Sequence, residues 1–89
     1  MVRVEEKVEP EVYTYIDPQD NHITIEIVLP DVVKESIRLM INARCLRVYA
    51  ASGTVNYEKY LSFKEPVIPE RTKARYEHDI LRIIIPLRA

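Results

Sequence analysis

Side chains able to do covalent or metal chemistry are few in this chain, and their spacing assembles none of the units that catalysis needs. Both histidines, His22 and His78, stand beside turn residues, with no second histidine and no cysteine at the spacing that brings metal ligands together. Cys45 is the only cysteine; Arg44 and Arg47 flank it, but no histidine adjoins it to act as a base, so it reads as a buried or half-buried free thiol. The carboxylates occur as Glu5/Glu6, Glu9/Glu11 and Asp17/Asp20, the composition of solvated faces and turn caps. A phosphate-cradling loop needs several glycines, and Gly53 is the only one. The expectation is a protein that is not an enzyme, with no catalytic residue, no cofactor and no metal.

The overall balance removes further classes. With 13 basic and 14 acidic side chains and a net charge of -1, there is no basic stripe for a nucleic-acid backbone. The longest apolar run, Ile83-Ile84-Ile85-Pro86-Leu87, is the length of a strand and far short of the roughly 20 residues that span a bilayer. Charges interrupt the first seven residues too often for a signal peptide, and one cysteine cannot form an internal disulfide. Neither nucleic acid nor membrane is expected as a partner, and a cytoplasmic location follows. A chain of 89 residues has room for one domain and one core, with modest stability unless another chain contributes.

What must position the remaining surface is a series of short segments with period-2 alternation, separated by turn residues, as in a sandwich or barrel. Val12–Ile16 and His22–Leu29 read as the two arms of a hairpin around Asp17-Pro18-Gln19-Asp20-Asn21. The second arm places Ile23, Ile25, Ile27 and Leu29 on one face. Pro30 ends it, since proline cannot donate to a ladder. Ser36–Asn42 carries Ile37, Leu39 and Ile41 on one side, and Cys45–Ala50 turns Leu46, Val48 and Ala50 inward. Thr54–Phe63 alternates Tyr57, Lys59, Leu61 and Phe63 with Glu58, Tyr60 and Ser62, with enough apolar content on both sides to predict that at least part of the strand is covered twice, one cover being a partner chain. A proline-bounded loop, Lys64–Pro69, leads to a strand at Lys73–Tyr76 and, across Glu77-His78-Asp79, to Ile80–Ile85 with Leu81, Ile83 and Ile85 on one face. Residues 1–10 read as a flexible arm or, through the alternation of Val2 and Val4, a short edge strand; residues 11–89 form the domain. The fold class is all-β, an antiparallel immunoglobulin-like sandwich of about seven or eight strands. Tyr13, Tyr15, Val28, Met40, Ile80 and Ile84 fall on or near its outer faces.

Three stretches resemble the alpha-crystallin domain of small heat-shock proteins. Val28-Leu29-Pro30-Asp31-Val32, running through a charged spacer to Ile37-Arg38-Leu39, is similar to the family's Leu-Pro-Gly-Val signature and the strand after it. Ala74 through Pro86 is similar to its second signature, matching at Ala74, Leu81, Ile83 and Pro86, while Tyr57–Phe63 resembles the strand before the connecting loop. The turn glycines of the two signatures are Asp31 and Asp79 here, and His78 stands where asparagine is usual; aspartate tolerates a positive φ better than most residues. The resemblance implies an ATP-independent holdase that binds unfolded or partly folded proteins, with Ile37, Leu39 and Ile41 opposite Ala74 and Tyr76 as a protein-binding groove. It also implies a homodimer or small oligomer, with Tyr57, Lys59, Tyr60 and Leu61 as a dimer edge. Only Leu87, Arg88 and Ala89 follow the last strand, so no Ile-x-Ile anchor is expected, and 51–56 is too short for a strand exchanged between subunits. The alternative is a co-chaperone similar to CS domains, an adaptor that binds one folded partner such as a larger chaperone.

Overall fold

β-Branched and aromatic residues in alternation build eight strands in a computed structural model that describes residues 6–53 and 55–88. They are β1 (Glu6–Val8), β2 (Val12–Asp17), β3 (His22–Val28), β4 (Arg38–Ile41), β5 (Cys45–Ser52), β6 (Val55–Ser62), β7 (Lys73–Glu77) and β8 (Ile80–Pro86). Single 3-10 turns at Lys34–Ser36 and Pro69–Arg71 are the only helical elements among the described residues. The first sheet has the order β1-β6-β5-β4 and the second β2-β3-β8-β7. All pairings are antiparallel except that of β1 with β6, which is parallel and lies at one edge of the expected antiparallel sandwich. Parallel pairing needs a long connection, and almost fifty residues separate these two strands in sequence, so no hairpin dictates their direction. Glu6–Val8 forms an edge strand of the first sheet, whereas Val2 and Val4, on which the expectation of an N-terminal edge strand rested, lie outside the described residues.

The core is the set of inward faces that the alternation marks: Ile23, Ile25 and Ile27 from β3, Leu46, Val48 and Ala50 from β5, and Leu81, Ile83 and Ile85 from β8. Burying each of the larger side chains contributes on the order of 1.5–3 kcal/mol. Connecting segments add Leu29, Val32, Val67 and Leu87. The loop between β6 and β7 is therefore more than a connection. Val67 is fully buried and forms a bridge with Leu87, and the Ile68 and Arg88 N–H groups donate to the Pro86 and Pro66 carbonyls, which closes one end of the sandwich.

The crossing from β3 to β4 is also tied down. The Ser36 hydroxyl donates to the Val33 carbonyl at 2.6 Å and accepts the Ala51 N–H at 3.0 Å, while the Val33 N–H donates to the Ala51 carbonyl. These bonds fix the segment that delivers Ile37 into β4. Both aspartates that replace the turn glycines adopt positive φ, 56° at Asp31 and 65° at Asp79, as does His78 at 51°.

Candidate functional site

The chemistry-bearing residues remain apart, with one exception. The Asp17 carboxylate caps its own turn by accepting the N–H groups of Gln19 (2.9 Å) and Asp20 (3.2 Å). Those bonds, first that from Asp20 and then that from Gln19, hold its carboxyl below the usual carboxylate range. The reading as turn cap is correct, but the hairpin also folds Asp20 and His22 back on it, so that one potential ligand atom of each lies within 4.8 Å of the others. Spacing by sequence missed this because it considered only His and Cys partners. Cys45 lies half-buried beside Met40, Arg47 and Tyr60 on the outer face of the first sheet, where the Arg47 guanidinium sits 5.6 Å from the Tyr60 ring centroid.

The residues expected to form a groove lie on two edge strands, one in each sheet. On β4 and just before it, Ile37, Leu39 and Ile41 are half-buried and pack against the core, and β5 is the strand's only neighbour among the described residues. The Asn42 N–H donates to the Cys45 carbonyl, so Asn42, Met40 and Arg38 turn their backbone groups toward β5 and Leu39 and Ile41 turn theirs away from the sheet. On β7, Ala74 is exposed and Tyr76 half-buried. The Tyr76 hydroxyl donates to the Leu29 carbonyl at 2.5 Å, which ties this edge to the end of β3. Burial, followed by the charge of Asp79, raises the phenol's pKa above its ordinary value of 10.0.

The expected dimer edge is partly occupied. β1 lies along β6 over Val55, Asn56 and Tyr57, so the edge at Tyr57 is already paired within the chain. Lys59, Tyr60 and Leu61 lie past that pairing, and Lys59 approaches Glu9 at 3.8 Å. Cover from two directions does not extend along the strand: Leu61 is half-buried but Tyr60, on the outer face, is 52% exposed.

Of the six residues placed on outer faces, Tyr13, Tyr15, Met40 and Ile80 are exposed, and Val28 and Ile84 are half-buried. Ile16, Val33 and Tyr60 join the exposed set. Ile16 is the unexpected one. It shares the inward side of β2 with Val12 and Thr14, opposite Ile23 of β3, yet it is 64% exposed. Across the outer face of the second sheet, Arg82 donates through Nε (3.1 Å) and Nη2 (2.8 Å) to Glu26 Oε2, beside Tyr13 on β2. Among the described residues no helix is long and apolar enough to cross a membrane.

No protein-family model matches this sequence, and no curated protein does. Solved structures do match. HSP18.5 from E. histolytica superposes with a TM-score of 0.82 at 12% identity, over 92% of this chain and 90% of that one. The hspA of Xanthomonas axonopodis gives 0.79 at 14%, over 91% and 95%. Heat shock protein 16.0 from Schizosaccharomyces pombe gives 0.77 at 12%, over 90% and 87%. The two-sheet, eight-strand architecture is the alpha-crystallin sandwich of these small heat-shock proteins.

Proposed function

We propose that this chain is an ATP-independent holding chaperone of the small heat-shock type, which binds non-native polypeptides and performs no catalysis. The observation that carries the reading is the pair of edge strands, β4 and β7, in this particular fold, with Ile37, Leu39, Ile41 and Tyr76 only half-covered by the core. An extended segment of a client adds to β4 through the outward N–H and C=O groups of Leu39 and Ile41. Its alternate apolar side chains then rest against the groove that these residues form with Ala74 and Tyr76. Such binding is driven by burial of apolar surface and by ladder hydrogen bonds, so it requires no nucleotide. The open part of β6 beyond Tyr57 is the site of pairing between two copies in this reading, and the cytoplasm is its compartment.

The test is light scattering from a heat-aggregating model protein, with and without the chain, in the absence of ATP. Suppression near equimolar ratio is expected, and Leu39→Lys combined with Ile41→Lys should remove most of it while leaving the sandwich folded. A folded wild-type protein that suppresses nothing would sink the holdase. The adaptor reading would then take its place, favoured by one observation: Tyr13 and Tyr15 stand exposed on the outer face of the second sheet beside the Glu26–Arg82 pair, a surface suited to one folded partner.

A further inference from the structure

The hairpin between β2 and β3 gathers three metal-ligating side chains, and capping of the turn requires only one of them. Asp17 ends β2, His22 begins β3, and the two are direct partners across the ladder, which puts their side chains on one face of the sheet. The turn then brings Asp20 back toward this pair, so that one ligand atom from each of the three lies within 4.8 Å of the others. The backbone beneath them is fastened at both ends. Asn21, at φ 55°, donates its N–H to the Asp17 carbonyl at 2.9 Å. Its own carbonyl accepts the Leu87 N–H at 2.9 Å, and its side-chain amide donates to the Leu87 carbonyl at 3.3 Å, which ties the turn to the end of β8.

Charge at this turn is unbalanced. Between Lys7 and Lys34 the sequence has no lysine or arginine, and among the described residues neither carboxylate forms an ion pair with a basic side chain. Both cap bonds of Asp17 fall on Oδ1, so the carboxylate is oriented while the cap makes no use of its second oxygen. Among the described residues no hydrogen bond joins the His22 imidazole to either carboxylate, which leaves the space between the three donors open to a cation. We propose that Asp17, Asp20 and His22 form a binding site for a divalent first-row transition ion, with Zn²⁺ as the representative. Metal–donor bonds of about 2.0–2.2 Å set tetrahedral donor atoms roughly 3.4 Å apart, so closing the site takes a movement of about 1 Å, and the exposed Asp20 side chain can supply it.

The donor set selects the class of ion. Calcium and magnesium take oxygen ligands, calcium six to eight of them, and three protein donors that include an imidazole satisfy neither well. Two carboxylate oxygens and one imidazole nitrogen suit zinc and its neighbours in the first row, with water completing the coordination. An ion held there bonds the last residue of β2, the turn and the first residue of β3 together. It thereby clamps an edge strand that is otherwise held only by its ladder to β3, since Tyr13, Thr14, Tyr15 and Ile16 are all exposed. The site lies on the hairpin turn, away from β4 and β7, and does not depend on the holding activity.

Titration calorimetry of the full chain with Zn²⁺ tests the assignment. One ion should bind per chain, and Asp20→Asn and His22→Gln should each weaken binding by at least the roughly tenfold that loss of a ligand's outer partner costs. Asp17 is left intact because its substitution would also remove the turn cap. Cys45→Ser and His78→Asn, which remove the other thiol and imidazole, should bind as the wild type does. At a Zn²⁺ concentration a hundredfold above its Kd the melting temperature should rise by roughly 10 °C, and that rise should vanish in His22→Gln. Proton NMR of the wild type gives a reading that needs no variant: Zn²⁺ should shift the imidazole signals of His22 and leave those of His78 in place. The proposal is overturned if the wild type binds no Zn²⁺ at millimolar concentration, if Asp20→Asn and His22→Gln bind as the wild type does, or if Cys45→Ser or His78→Asn abolishes binding. Calcium bound as tightly as Zn²⁺ would also overturn it, because the imidazole would then have no part in the site.

Discussion

β2 and β3 are paired along the whole length of β2 and are both rich in β-branched residues, yet they meet different fates. In β3 the alternation of the sequence becomes an alternation of burial, with Ile23, Ile25 and Ile27 buried and the residues between them half-covered. In β2 only Val12 and Asp17 at the two ends are half-covered, and Tyr13, Thr14, Tyr15 and Ile16 are all exposed. β-Branched content does not account for this, because both strands are rich in it. Position does. β3 lies between β2 and β8 with the opposite sheet above it, whereas β2 is the last strand of its sheet, and Thr14 and Ile16 on its inward side border an open pocket facing Ser62, Phe63, Lys64 and Glu65. An alternating pattern thus specifies which residues share a face, and the sheet order decides whether that face is core or contact surface.

The sharpest way to break this comparison is to remove the same side chain from both strands. Ile25→Ala deletes a side chain that is 1% exposed at the centre of the sandwich and should cost about 2–5 kcal/mol, enough to unfold much of a small domain. Ile16→Ala should change stability by no more than about 0.5 kcal/mol. Urea denaturation of the two variants gives both values. A cost at Ile16 approaching that at Ile25 would mean that its inward side is covered in solution.

The two outer strands of the second sheet differ in how they are fastened, and Tyr76 tests that difference on β7. Tyr76→Phe removes the bond to the Leu29 carbonyl and leaves that acceptor without its partner, so the loss should be about 1–2 kcal/mol by the same measurement. The phenol also sets a dependence on pH. Its pKa is raised by folding, so above the ordinary value of 10.0 the unfolded chain has lost the proton that the native state still holds. The unfolded state then binds fewer protons than the native one, and stability falls as pH rises through that range. Wild type should lose stability above about pH 10 more steeply than Tyr76→Phe; parallel slopes would remove the phenol from the account.

Which parts were legible in the sequence follows the same division between centre and edge. The inward faces of β3, β5 and β8 are readable because a central strand leaves its alternation no other use. Val67 was not readable. It lies in a proline-bounded loop without periodicity, and it is buried only because that loop folds over the end of the sandwich against Leu87. The approach of Asp17, Asp20 and His22 depends on the turn's geometry and not on ligand spacing along the chain. At the candidate groove, the residue types and their shared faces on β4 and β7 came from alternation and resemblance, while the Tyr76–Leu29 bond depends on a contact across 47 positions of sequence. The parallel partner of β6 was illegible for the same reason, since three residues, Glu6–Val8, carry too little pattern to reveal a direction.

The smallest effect concerns the turn that joins the edge strand β7 to the central strand β8. A two-residue hairpin with both residues at positive φ favours Asn-Gly, because asparagine accepts the left-handed region more readily than most residues and glycine pays no steric cost there. This chain has His78 and Asp79 in those positions, at φ 51° and 65°. His78→Asn leaves the turn's backbone pairing intact and should stabilise the domain by less than about 1 kcal/mol. Asp79→Gly relieves similar strain but gives up the Asp79 carboxylate, which accepts the Asp31 N–H at 3.4 Å; its backbone carbonyl, which accepts the Leu29 N–H at 2.8 Å, is retained. Because Asp31 itself sits at φ 56° on the facing turn, loosening it offsets part of the gain, and Asp79→Gly should therefore stabilise less than His78→Asn. Thermal unfolding of the two variants decides the order. The reverse order would mean that the long Asp31 contact contributes nothing and that strain at Asp79 is the larger of the two.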